Sequence, residues 1–214
     1  MKNVEIKWLG HASWMIKTMG KTIYIDPYEG DYSEKGDLIL STHHHDDHCK
    51  PDKVEAAAGE DTVIIAPEQC GQKLGMDVKS LKPGESETFD DIKVEAVQAY
   101  NFKRFRSPGT PYHPKGIGVG YLLTAEGKTV YHAGDTDFID EMKEIEGIDL
   151  MLVPSGGTYT MDNPEAADAV IEINPDKAVP MHIWDTDPSE FKKKVESNCD
   201  TEVIILKVGD TITL

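Results

Sequence analysis

Leu38-Ile39-Leu40-Ser41-Thr42-His43-His44-His45-Asp46-Asp47-His48 changes character sharply at its middle. The first three residues form a continuous apolar run, as expected of a strand covered on both faces. The second half, taken alternately, is His43-x-His45-x-Asp47-His48. Three imidazoles and a carboxylate so closely spaced pack poorly in a core. They suit a divalent transition metal, for which neutral imidazole and carboxylate are the usual nitrogen and oxygen ligands. A solvated polar loop is the competing reading. The run is internal and strand-anchored, unlike a purification tag.

Outward from this segment the chain alternates strands with a few helices. Val4, Ile6 and Trp8 alternate with Glu5 and Lys7, and Trp14–Ile16 and Ile23–Ile25 repeat the half-buried strand pattern around a Met19-Gly20 turn. Val63-Ile64-Ile65 and Leu150-Met151-Leu152-Val153 are further buried runs. Helices are expected from Pro51 through Ala58, behind an Asn163 N-cap with Pro164 in the first turn, and behind Asp187-Pro188-Ser189 with Glu190 at a capping-box position. Ala166, Ala169, Val170 and Ile173 mark one apolar helix face. No linker, repeat or low-complexity tract divides the chain, so residues 1–214 are expected to form one domain of mixed α and β structure.

Composition narrows the function. The 214 residues carry 22 Lys and Arg against 39 Asp and Glu, a net charge of −17 that opposes non-specific binding to nucleic acid or an anionic membrane. No apolar run approaches the ~20 residues of a membrane span. Met1-Lys2-Asn3-Val4-Glu5 lacks the apolar stretch of a signal peptide. Cys49, Cys70 and Cys199 form no close pair and no CxxC, so a cytoplasmic location is expected.

Two more candidate ligands each come just past a predicted strand. Thr129–Ala133 leads into Gly134-Asp135-Thr136, and Lys177–Met181 leads into His182. Singly, Asp135 reads as a turn carboxylate and His182 as a satisfied histidine. Together with the cluster at 43–48 they point to a shared site on one edge of a sheet.

The motifs Trp8-Leu9-Gly10-His11-Ala12-Ser13, Ile25-Asp26-Pro27, Thr42-His43-x-His45-x-Asp47-His48, Tyr131-His132-Ala133-Gly134-Asp135-Thr136 and Pro180-Met181-His182 come in a fixed order. In this the chain resembles the metallo-β-lactamase-fold hydrolases, most closely their small branch related to the ascorbate-6-phosphate lactonases. The terminal Gly209-Asp210-Thr211-Ile212 also fits, so the resemblance covers essentially the whole chain. It implies an α+β fold, a four-layer αββα sandwich with a two-metal site at one edge. His43 and His45 would hold the first ion, and Asp47, His48 and His182 the second, with Asp135 bridging. The first ion wants a third histidine. Where relatives often place it, this chain has Ala99-Tyr100-Asn101, and the nearest histidine is His113. His113 is taken as that ligand, with Asn101 or a water-completed or mononuclear site as alternatives. By the same resemblance Asp26 orients a ligand imidazole or merely ends a strand. His11 lies beside the ligands, His132 is a structural imidazole, and His44 points away.

The resemblance further implies two divalent ions roughly 3.5–4 Å apart that lower the pKa of a shared water to give a hydroxide nucleophile. Asp135 would fix the spacing and Asp47 would take the proton released on attack. Zn²⁺ is favoured by the imidazoles, with Mn²⁺, Fe²⁺ and Ni²⁺ left open. The stretch from Ala96 to Ala125 has no acidic residue but carries Lys103, Arg104, Arg106 and Lys115 among Tyr100, Phe102, Phe105 and Tyr112. It reads either as a solvated loop or as a pocket wall in which Arg104, Arg106 and Lys115 bind an anionic small-molecule substrate. The loop from Pro154 to Met161 is expected to border the same cleft, and Trp184 reads as an aromatic wall or as core. The expected function is therefore hydrolysis of a small anionic ester, lactone or phosphodiester. A nuclease, a di-iron redox domain and a non-catalytic metal-bound protein are the rivals; the charge opposes the first, and His45 stands where the second usually carries Glu. Oligomeric state leaves no trace in the sequence.

Overall fold

Leu38, Ile39 and Leu40 are all fully buried because their strand separates two cores. Leu38 and Leu40 face the interior between two sheets, and Ile39 faces helices on the outside. Alternation along a strand buried on both faces requires this. The computed structural model describes residues 3–214; Met1 and Lys2 of the opening stretch lie outside the described residues.

Two seven-stranded sheets form the sandwich. The first runs, in spatial order, Thr211–Thr213, Glu5–Gly10, Ser13–Thr18, Lys21–Ile25, Gly36–Leu40, Ala58–Ala66 and Lys79–Ser80. The second runs Ser86–Phe89, Ile92–Ala99, Gly118–Ala125, Lys128–His132, Leu150–Pro154, Lys177–Met181 and Glu202–Val203. Each is antiparallel through its first four strands and parallel through the rest. Met19 and Gly20 both take positive φ between Ser13–Thr18 and Lys21–Ile25, the backbone of a tight hairpin. A two-residue ladder, Phe105–Ser107 with Thr110–Pro111, forms a separate hairpin between Ile92–Ala99 and Gly118–Ala125.

Ile6, Trp14, Ile16 and Leu40 from one sheet meet Val94, Tyr121, Leu152 and Val179 from the other in the central core. Helices α1 (Pro51–Ala57) and α2 (Glu68–Leu74) cover the first sheet, with Val54 and Ala57 against Tyr24, Ile39 and Ile64. Helices α3 (Asn163–Ile173) and α4 (Ser189–Glu196) cover the second, where Ala166, Val170, Phe191 and Val195 pack on Tyr131, Met151 and Ala178. The layers are α, β, β, α. Two helix starts differ from the sequence expectation. Asp162, not Asn163, caps α3, accepting the Glu165 N–H at 3.0 Å, while Asn163 donates to the Asp187 carbonyl. At α4 the cap position is Pro188, and Asp187 Oδ1 takes the Ser189 N–H instead of a reciprocal box through Glu190.

Loops leaving the carboxyl ends of parallel strands in an open sheet are where α/β proteins build sites. Here Lys21–Ile25, Gly36–Leu40, Lys128–His132, Leu150–Pro154 and Lys177–Met181 release Asp26, residues 41–49, Asp135, residues 155–161 and His182. The first and second sheets meet at this edge, where the Val119 N–H donates to Thr42 O at 2.9 Å and Tyr121 OH donates to Ser41 O at 3.0 Å.

Candidate metal centre

The loop after Leu40 is held rigidly before it offers any ligand. Asp26, fully buried, accepts the Thr42 N–H and the Thr42 hydroxyl, both at 2.7 Å, and takes the His48 Nδ1 proton at 2.7 Å. That bond orients the His48 ring and turns Nε2 toward the other donors, the usual arrangement behind a ligating histidine. The turn closes with Cys49 N–H donating to His45 O at 2.8 Å.

Two groups of donors result. His43, His45 and His113 form the first, with His43 Nε2 3.1 Å and His113 Nε2 3.2 Å from His45 Nδ1. Donors about 2.0–2.1 Å from a tetrahedral ion sit about 3.3 Å apart, so these spacings suit a common ion. Asp47, His48 and His182 form the second, with His11 close enough to count among its donors, and with His48 Nε2 and His182 Nε2 lying 3.8 and 3.7 Å from Asp47 Oδ2. Asp135 lies between the groups. Its Oδ2 is 3.3 Å from His113 Nε2 and 3.3 Å from His182 Nε2, and its Oδ1 is 3.4 Å from His48 Nε2. His48 Nε2, His182 Nε2 and Asp135 Oδ1 are buried without a hydrogen-bond partner among the described residues. Buried nitrogen and carboxylate donors that converge with no partner in good hydrogen-bond geometry are what a cation satisfies, and the donor set fits divalent ions.

The electrostatics of the two groups differ. Burial pushes His43 well below the ordinary histidine range, takes His45 to about 4 and lowers His113, so these rings are neutral and ready to ligate. Burial also opposes charge on His48 and His182, but the Asp135 carboxylate outweighs it, raising His48 well above and His182 to about 9. Burial disfavours the Asp135 anion, yet His182 and His48 hold its carboxyl well below the usual range. Without ions, protons hold the second group together.

Asn101 and His113 both enter the site, in different roles. Asn101 Oδ1 accepts the His113 N–H at 3.0 Å and its Nδ1–H at 2.7 Å, while Nδ2 donates to Asp137 Oδ1 at 2.9 Å. The histidine therefore presents Nε2 to the cluster and the asparagine holds it. His11 Nε2 bonds Asp47 Oδ2 at 3.1 Å. His132 is satisfied elsewhere, donating to Ala12 O and accepting from the Gly134 N–H. His44 belongs to none of the donor groups, and its carbonyl takes Lys73 Nζ.

Beside the donors opens a cleft of about 350 Å³, at the lower end of the range of small-molecule sites. Arg106 and Trp184 line it, as do Tyr112 and Tyr159. Arg104 and Lys115 do not, which corrects the pocket-wall expectation for both. Arg104 Nη1 is bound by Asp137 and Glu165, each at 2.6 Å, and Lys115 Nζ by Glu141 at 2.6 Å. Acidic partners distant in sequence neutralise these charges and draw them off the cleft.

His182 and Trp184 both have positive φ, a strained backbone for large residues. The loop closes because residue 156 is glycine: a Cβ there would collide with the His182 carbonyl oxygen and press on the Trp184 ring. Asp137 and Tyr159 carry no signal of their own in the sequence. Asp137 is two residues beyond Asp135, and Tyr159 is the aromatic of a loop already expected at the cleft.

Residues 5–182 match the family model described as Beta-lactamase superfamily domain. A UPF0173 metal-dependent hydrolase of Lysinibacillus sphaericus is 34% identical, over 98% of this chain and 99% of that one. Among solved structures, a Parabacteroides distasonis protein described as a metal-dependent hydrolase superposes with a TM-score of 0.89 at 38% identity, covering 95% of this chain and 93% of its own. Igni18, a metallo hydrolase of the archaeon Ignicoccus hospitalis, superposes with a TM-score of 0.81 at 29% identity, covering 99% and 98%.

Proposed function

From the premise that this chain is a metal-dependent hydrolase of the β-lactamase superfamily, to which it belongs, we propose that it hydrolyses a small anionic ester, lactone or phosphodiester at a two-ion centre. His43, His45 and His113 would hold one ion, Asp47, His48 and His182 the other, with Asp135 shared between them. The observation that carries this reading is the convergence of His48 Nε2, His182 Nε2 and Asp135 Oδ1, all buried and all without a hydrogen-bond partner among the described residues. When bound, divalent ions supply Lewis acidity and lower the pKa of water, with Zn²⁺ the favoured occupant.

The chain's own residues supply the rest. Asp47 is the donor carboxylate most open to the cleft, so it is assigned as the proton acceptor, with His11 on its Oδ2 fixing its orientation. Arg106 supplies the positive charge that holds an anionic substituent. The nuclease reading loses support here, because Lys103, Arg104 and Lys115 are engaged by carboxylates and do not form a basic face. Among the described residues no helix is long and apolar enough to cross a membrane.

Elemental analysis of protein purified without added metal, then a panel of phosphodiesters, phosphorylated lactones and thioesters, tests the proposal. The expected result is about two divalent ions per chain and chelator-sensitive hydrolysis of an anionic member. Arg106→Ala should raise KM for that substrate more than it lowers kcat. A metal-free protein, or one inert to the whole panel when fully loaded, would refute it.

A further inference from the structure

Two side chains on the cleft are exceptions among residues of their own kind. Trp8 and Trp14 are buried, and their indole N–H groups are bonded to His11 O and Met181 Sδ. Trp184 is 55% exposed, holds a left-handed backbone at φ +48°, and its Nε1 has no hydrogen-bond partner among the described residues. A large aromatic residue that is both strained and uncovered points to a role outside folding. Arg106 is the parallel case. Lys103, Arg104 and Lys115 on the same stretch each bind a carboxylate, whereas Arg106 lies 5.7 Å over the Tyr112 ring and has no acidic partner among the described residues.

These two residues stand at opposite ends of one row of rings. Tyr112 meets Tyr159 edge to face at 4.8 Å, Tyr159 lies 6.4 Å from Trp184, and Trp184 lies 5.4 Å from His182. Tyr159 and Trp184 are both exposed to the cleft. Aromatic faces take flat π-systems by offset stacking, and a guanidinium over a ring still offers its N–H fork to an anion. We infer that Trp184 offers the stacking face for a planar, π-bearing group of the substrate, with Tyr159 and Tyr112 as the tilted aromatic wall beside it, and that the group's anionic substituent is received by Arg106 at the end far from His182. The inference rests on the hydrolase reading for its location, and it names the substrate class: an ester of a flat aromatic or heteroaromatic acid or alcohol bearing a carboxylate or phosphate.

Equilibrium binding to the metal-loaded protein separates the two subsites. The probes are naphthalene-2,6-dicarboxylate, 2-naphthoate and the fully saturated decalin-2-carboxylate, measured by calorimetry. All three carry a carboxylate that the ions can take, so differences report the wall alone. The dicarboxylate should bind about tenfold tighter than 2-naphthoate, and 2-naphthoate about tenfold tighter than the decalin acid. Trp184→Ala should remove the flat-over-saturated preference and leave the dicarboxylate preference, and Trp184→Phe should restore part of what was lost. Arg106→Ala should do the converse. Equal binding of the flat and saturated acids by the wild type, or a preference unchanged in Trp184→Ala, would overturn the inference. Failure of the hydrolase reading shows differently, as missing turnover by metal-loaded protein whose ring preference persists.

Discussion

Replacing Asn101 with Ala tests how this chain supplies the third histidine of its first donor group. The asparagine accepts two bonds from His113, at 3.0 and 2.7 Å, and donates one to Asp137. Asp137 would still be satisfied by Arg104 and by the Phe102 and Lys103 N–H groups. The His113 N–H and Nδ1–H would both be left buried without an acceptor. Each such orphan costs about 1–3 kcal/mol, so the metal-free variant should lose about 2–6 kcal/mol. The imidazole also loses the partner that fixes its tautomer, a change that typically weakens metal affinity about 10- to 100-fold. Urea unfolding of chelated protein reads the first effect and chelator competition the second. Only an ion held by His43, His45 and His113 should be affected, with the His48–His182 group retaining its own. Wild-type affinity for both ions in Asn101→Ala would refute the role drawn from the geometry.

Three further outcomes are expected. In metal-free protein, His182 is raised from 6.5 to about 9, so its charged form stabilises the fold fully below about pH 6.5 and the contribution fades as pH rises through 9. That is on the order of 3 kcal/mol, read by urea unfolding in chelator at pH 6.5 and 9.5; equal stability at both would contradict it. Because His48 and His182 must shed protons to ligate, metal uptake at pH 7 should release about two protons and tighten steeply with pH, as a calorimetric series in buffers of different ionisation enthalpy would show. A Gly156→Ala substitution should cost at least the upper end of about 1–3 kcal/mol and displace His182, measured as lower Tm together with weaker metal retention, since the opposing atom is backbone.

The fold is legible because the short apolar runs at Leu38–Leu40 and Leu150–Val153 read as strands buried on both faces, and the spacing at 43–48 points one of them toward a metal. The donor set is readable to the extent that each donor comes at the end of a strand. His113 is the exception, since it arrives after an excursion of a dozen residues whose course no local pattern records. The charges on Arg104 and Lys115 are visible in the sequence, but their cancellation is not, because Asp137, Glu165 and Glu141 lie 26 to 61 residues away. Of the four cations in that stretch, only the fold shows that Arg106 is the one left unmatched. The cap at Asp162 escapes the sequence for a simpler reason: Asp and Asn are comparable caps, and adjacent ones are decided by where the chain enters the helix.

Each donor group takes side chains from both sheets, the 43–48 loop from one and His113, Asp135 and His182 from the other. Ions held there, as proposed, would rivet one rim of the sandwich, across the seam between its halves. A chain made from its amino end has every donor of the first group once Asp135 is out, but the second group waits for His182. Completion of the second donor group is therefore a late event in the life of the nascent protein.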